Sequence, residues 1–254
     1  IELQVIDQAC TSVAEAVQDA DLVLLAVPVG AMQASFAAMR DALQAGSLLM
    51  DVGSTKCDVI EAAKATLGQR LSCFVPAHPI AGKEVAGIEH AESTLYADRR
   101  TILTPLPQTG IHKMQLAHDV WTAIGSHVSN MTPEAHDATF AAVSHLPHLL
   151  AFAAVNALSA QPQAATFLDM AGPGFRDFSR IAASDPAVWR DILSANKTEV
   201  LAQMAHFRTA LAQFEATLRE GDDAALQKLI EHASEVRSNW TLQAGHACPT
   251  APEN

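Results

Sequence analysis

CFVPAHPIAGKEVAG, residues 73–87, is the stretch from which the fold of this chain can be read. A short apolar run, Cys73-Phe74-Val75, ends in Pro76-Ala77-His78-Pro79, and Gly82, Lys83, Glu84 and Gly87 then replace any hydrophobic period. Pro79 denies His78 an ordinary helical backbone and holds it extended. The imidazole is therefore presented at the carboxyl end of a strand, the edge where ligands sit in open parallel sheets. Its unperturbed pKa near neutrality suits proton transfer. The plainer reading is a buried histidine satisfied by a backbone carbonyl. The residues that accompany His78 further along decide between the two.

Working outward, the first half alternates strands and helices. Ser12–Ala20 reads as a short amphipathic helix, Leu22–Val27 as a strand stopped by Pro28, and Met32–Leu43 as a helix with Met32, Phe36, Met39 and Leu43 on one face. Ser47–Val52 is the next strand, Cys57–Leu67 a helix, Thr101–Leu106 a strand, His112–Ile124 a helix and His127–Met131 a last short strand. Continuous apolar strands separated by helices predict a parallel α/β sheet with right-handed crossovers.

The character changes at Thr132-Pro133, an N-cap followed by a proline at the first helical position. From there to Trp240 the pattern is helical throughout. Residues 134–160 read as one apolar helix kinked at Pro147, and Asp185-Pro186 opens another. Val200, Met204, Phe207, Leu211, Phe214 and Leu218 form a seam of about 3.5-residue period. Gly221 ends that helix, Asp222 or Asp223 caps a last one, and 245–254 is a polar tail. Two domains are expected, 1–131 and 132–254. The seam fits a core, and a long apolar stripe on a helical domain also fits a homodimer.

Composition narrows the class. The 254 residues are 49% hydrophobic and 17% charged, enough apolar material for a substantial core. A net charge of −12 argues against nucleic acid or an anionic membrane as partner. No apolar run reaches the length of a membrane span, Leu22–Val29 being far too short. The start, Ile1-Glu2-Leu3-Gln4, lacks the basic residues of a signal peptide. Cys10, Cys57, Cys73 and Cys248 form no CxxC pair and read as reduced thiols in a cytoplasmic protein.

Three further constellations occupy places a ligand would use. Gly53-Ser54-Thr55-Lys56 joins a strand end to a helix N-terminus, where backbone N–H groups and hydroxyls can meet an anion; such a sequence is also common turn chemistry. Ser144-His145-Leu146-Pro147-His148 puts two histidines on one helical face at the proline. No carboxylate or cysteine stands at helix spacing inward of them, which disfavours a metal. Gly172-Pro-Gly-Phe-Arg-Asp-Phe-Ser-Arg180 breaks the helices and supplies Arg176 and Arg180, whose planar guanidinium suits a carboxylate. An Arg–Asp pair between helices is the structural alternative.

Together HPIAGKE at 78–84, DVGSTK at 51–56, SHLPH at 144–148 and GPGFRDFSRIAASDP at 172–186 resemble the prephenate/arogenate dehydrogenase family in order and spacing. The resemblance implies a dinucleotide-binding (Rossmann-like) domain followed by an all-helical dimerisation domain, with the active site between them. It also implies the reaction, oxidative decarboxylation of prephenate or arogenate with NAD or NADP in tyrosine biosynthesis. By the same resemblance His78 is the catalytic acceptor for the ring hydroxyl, and Ser54 fixes its geometry. Arg180 grips the ring carboxylate, and His148 and His145 lie near the substrate. Glu84 and Arg176 form an ion pair at the entrance. Val27, Pro28 and Ser54 provide cofactor contacts.

Two departures from the family pattern stand out. Lys83 occupies a place where members often carry a small polar residue, which leaves prephenate against arogenate open. The sequence also has no GxGxxG turn. Ile1–Asp7 resembles the segment following that turn, so one βαβ unit, on the order of 30–40 residues, is expected to be missing. Without a glycine-rich turn, affinity for NAD(P) should be poor. A β-hydroxyacid dehydrogenase would instead need a lysine early in the helical half, and 132–160 contains none. A non-catalytic dimeric module that binds the metabolite is the alternative from another class.

Overall fold

The computed structural model describes residues 5–82 and 87–241. Lys83 and Glu84 lie outside the described residues, as does the polar tail.

Ser12 caps α1 (Val13–Val17), its hydroxyl accepting from the Glu15 amide. Strand β1 (Leu22–Leu25) pairs in parallel with β2 (Leu48–Asp51), which pairs in parallel with β3 (Phe74–Val75). Between them run α2 (Met32–Met39) and α3 (Cys57–Thr66). Met32, Phe36, Met39 and Leu43 are all fully buried, as their spacing requires, and Phe36 meets Phe74 edge to face.

The strand that leads to His78 does not run through. Pro76 has no N–H to extend the ladder with β2, and beyond it the chain joins a second set of strands. There β4 (Ala77–Pro79) pairs antiparallel with β5 (Arg100–Leu103), placing His78 opposite Ile102. The β5 strand pairs in parallel with β6 (His127–Asn130), after the intervening α4 (Ile111–Ala123). The sheet is parallel up to Pro76, and the histidine stands one short segment past the end of its parallel strand. Trp121 on α4 and Leu103 on β5 join Leu48, Met50 and Val75 in a core shared by both sets of strands.

The second half is helical among the described residues. Thr132 caps α5 (Pro133–Phe140) through its hydroxyl, with Pro133 in the first turn. A π-helical turn, Ala141–His145, leads without a break into α6 (Leu146–Ser159). The strain expected at Pro147 is thus taken up in the turn before it, where a wider coil releases the carbonyls a proline cannot serve. One consequence corrects the composition argument. Within the continuous stretch Pro133–Ser159, an 18-residue segment reaches a mean hydropathy of 1.5, long and apolar enough by length and composition alone to span a membrane. It nevertheless carries His136, Asp137 and His145, each bonded inside the protein.

Short helices α7 (Ala164–Asp169) and α8 (Pro173–Ser179) follow, then a 3₁₀ turn at Arg180–Ala183 packed against α6. Asp185 caps α9 (Pro186–Ala195) by accepting from the amides of Ala187 and Val188. The long α10 (Lys197–Glu220) ends at Gly221, whose φ of 67° is the left-handed conformation glycine adopts freely. Asp222 caps α11 (Asp223–Asn239). Of the α10 seam, Val200 is buried, Met204 and Phe214 are half-buried, and Phe207, Leu211 and Leu218 are exposed, so half of the stripe is surface rather than core.

Candidate active site

The site is assembled where α3 and β4 of the first domain meet α5, the π turn and α9 of the second. Its rigid base is Asp51 at the end of β2. Lys56 is wholly buried and pairs with Asp51 there. The Lys56 ammonium also donates to the Ala77 carbonyl at 2.7 Å, while Asp51 accepts from the Ala77 amide at 3.0 Å and the Gly53 amide at 2.8 Å. Both backbone groups of the residue preceding His78 are thereby fixed by one ion pair. A buried charge pair persists only with such complete hydrogen bonding.

Asp137 ties the domains together. Its carboxylate accepts from the amides of Lys56 (2.8 Å) and Cys57 (2.9 Å), at the first turn of α3. Burial pushes this carboxyl up, but the bonds from His136 and from the two amides outweigh it and leave it below the ordinary range. His136, fully buried, meets Asp137 through Nδ1 at 2.8 Å and His78 through Nε2 at 2.8 Å. Phe140 lies 4.7 Å from the His78 ring and 4.5 Å from that of His136.

Burial, and then the neighbouring His136, Lys56 and His145, hold His78 well below the usual histidine range, so it is neutral at physiological pH. It is half-buried, and among the described residues nothing bonds its Nε2. A neutral imidazole with one nitrogen fixed by protein and the other left over is equipped to accept a proton. Cys57, beside Asp137, is no nucleophile: burial and that carboxylate push its thiol up to about 12.

His145 is 1% exposed, and Asn196 donates its amide to His145 Nδ1 at 3.1 Å and to the Asp137 carbonyl at 2.7 Å. The Ser54 backbone takes the other bond, and burial depresses His145 to about 4. With both nitrogens committed, His145 braces the strand end at Ser54 instead of facing a ligand. His148 donates from Nδ1 to the Ser144 carbonyl at 2.9 Å and stacks on Trp189 at 3.6 Å and 19°.

Arg180 is exposed, at the start of the turn that packs against α6. Arg176, exposed on α8, pairs with its neighbour Asp177 at 2.9 Å, which ties no second helix. Its expected partner Glu84 lies outside the described residues. Sequence reasoning passed over His136, Asp137, Asn196 and Trp189, and quoted Asp51 and Lys56 without giving them work.

The cofactor contacts expected at Val27, Pro28 and Ser54 follow β1 and β2, whose carboxyl ends adjoin. Gly53 is tightly enclosed: a Cβ there would stand 2.9 Å from the Asp51 carboxylate and 3.1 Å from Val29. The space a side chain would need just past β2 is filled by the protein itself, which is why a glycine stands there.

A parallel sheet, a helical second half and a neutral histidine at their junction fit a two-domain dehydrogenase. Residues 1–130 match the family model for the prephenate dehydrogenase nucleotide-binding domain, and residues 132–232 that for the prephenate dehydrogenase dimerization domain. The chain belongs to the prephenate dehydrogenase family of oxidoreductases. It is 34% identical to a cyclohexadienyl dehydrogenase of Zymomonas mobilis, over 94% of this chain and 81% of that protein. Prephenate dehydrogenase from Aquifex aeolicus superposes with a TM-score of 0.86 at 34% identity, covering 94% of this chain and 84% of that one. A second structure from A. aeolicus, in complex with hydroxyphenyl propionate and NAD⁺, gives 0.83 at 36% identity over 93% and 82%.

Proposed function

We propose that this protein oxidatively decarboxylates prephenate, arogenate or both, with NAD or NADP, as a homodimer in the cytoplasmic synthesis of tyrosine. The observation that carries the reading is His78, kept neutral at the domain junction with one ring nitrogen uncommitted. The substrate's ring hydroxyl bonds that nitrogen, and its proton passes to His78 as the carbinol carbon is oxidised. General-base help of this kind is worth about 10²–10⁴-fold. The bound cofactor supplies the hydride acceptor. Loss of the ring carboxylate as CO₂ aromatises the ring, so much of the driving force lies in the substrate.

Ser54, with its backbone braced by His145, aligns the hydroxyl. Arg180 takes the ring carboxylate, and its task is positioning, because gripping a leaving carboxylate too firmly also stabilises the ground state. His148, held flat on Trp189, borders the substrate's side chain, and Arg176 and Glu84 stand at the entrance. Val27 and Pro28 line the nicotinamide side. The seam of exposed Leu211 and Leu218 with half-buried Phe214 between them, flanked by the Glu215–Arg219 ion pair, supports self-association through α10.

The test is a steady-state assay of NADH and NADPH formation with prephenate and with arogenate, on the wild type and His78→Asn. Wild-type turnover with at least one pairing, reduced about 10²–10⁴-fold in the variant at little change in KM, is expected. A folded wild type inactive with all four pairings sinks the catalytic reading and favours a metabolite-binding module.

A further inference from the structure

Behind His78 runs a series of hydrogen bonds whose directions follow from its far end. The Asp137 carboxylate, held by two backbone amides at the start of α3, can only accept. His136 Nδ1, 2.8 Å from it, therefore carries a proton. His136 is 0% exposed, and burial keeps it neutral against the pull of Asp137. Its Nε2 is then a lone pair and nothing else. That lone pair faces His78 Nδ1 at 2.8 Å, so His78 Nδ1 must be the donor.

We propose that His136 and Asp137 are a positioning pair that fixes the tautomer of His78, placing its proton on Nδ1 and its lone pair on Nε2, the nitrogen left for a ligand. A free imidazole exchanges between two tautomers, only one of which can accept at Nε2. The fully buried pair removes the wrong one before substrate arrives. Once Nε2 has taken the hydroxyl proton, the imidazolium has an acceptor in His136 and, one ring further, the Asp137 charge. An acidic partner does the same for a histidine in hydrolytic triads, where the wrong tautomer costs about 10⁴-fold in kcat. With a second imidazole interposed, a loss of about 10²–10³-fold is expected here. The charged and titratable groups around His78 are His136, Lys56 and His145, and those around His136 are Asp137, Lys56 and Asp51, with Lys56 already paired to Asp51.

What the acceptor receives rests on the dehydrogenase reading; the tautomer does not. Nitrogen-15 NMR of the full chain labelled in histidine, at pH 7.5 without ligand and assigned with His78→Asn and His136→Gln, reads it directly. Both His78 and His136 should carry their proton on Nδ1. A His78 proton on Nε2 overturns the proposal whether or not the enzyme turns over prephenate. In the assay, His136→Asn is too short to reach His78 and should lower kcat about 10²–10³-fold with KM within about threefold. His136→Gln, whose amide oxygen can stand where Nε2 stood, should recover at least tenfold of that loss. Loss of KM and kcat together, without recovery by glutamine, would reduce His136 to a packing residue. Should His136→Asn fail to fold, the wild-type tautomer decides alone.

Discussion

The two walls of the proposed site, one carrying His78 and the other Arg180, are built in opposite ways. The first is an interior: Asp51, Lys56, His136, Asp137, His145 and Asn196 are all buried, and each is hydrogen-bonded to another residue of the cluster or to its backbone. The second is a surface, two glycines and a proline opening a seven-residue helix on which Phe178 is 52% exposed and Arg176 pairs with its own neighbour. The base proposed at His78 must hold its geometry to a fraction of an ångström, and a buried network supplies that rigidity. Arg180, in its proposed role of receiving a charged substrate from solvent, has to stay within reach of water.

The contrast breaks first at Lys56. Lys56→Met leaves the Asp51 charge buried without its partner and frees the Ala77 carbonyl. Loss of one member of such a pair costs about 3–5 kcal/mol, which urea unfolding of the variant should show. A loss under about 1 kcal/mol would mean the pair is not what holds Ala77. Arg180→Ala should act on the other quantity. Removing one charge-assisted bond to a carboxylate is worth about 1.5–3 kcal/mol, or roughly 10–150-fold, and it should appear as a raised KM for prephenate at nearly unchanged stability. A Michaelis constant that stays put would mean the carboxylate binds elsewhere.

The same contrast decides what could be read from letters. The arginine wall announces itself, because glycine, proline and arginine in one short run are local signals. So do the helix caps at Ser12, Thr132, Asp185 and Gly221, where the residue type serves its own backbone. The network behind His78 was hidden for a different reason. His136 meets a residue 58 positions away, and Asp137 meets the α3 amides 81 and 80 positions away. Adjacent helical residues do not ordinarily face one another, so the His136–Asp137 bond had no periodic signature. A clue existed: Glu134 and Asp137 are the only acidic residues in 132–160, and an acid inside an apolar helix needs a partner. The π turn is likewise a tertiary product, since it sets His145 against Asn196 and the Ser54 backbone. Pro147 marks the place without stating the form.

Acid should separate the two walls most gently. His145 falls from the model-peptide value of 6.5 to about 4 on burial, and His78, His136 and His148 are lowered as well. For such groups the unfolded chain binds protons that the folded one refuses, so stability is complete above about pH 6.5 and falls as pH drops toward 4. His145 alone should remove roughly 1.5 kcal/mol by pH 5.5. Asp58, raised by burial, works in the opposite sense, but its window lies lower, near the carboxylate range. Urea midpoints at pH 7.5 and 5.5 measure the sum. His145→Gln, which keeps an amide able to bond Asn196 but cannot be protonated, should flatten the dependence. An equally steep profile in that variant would place the acid sensitivity among the other three histidines.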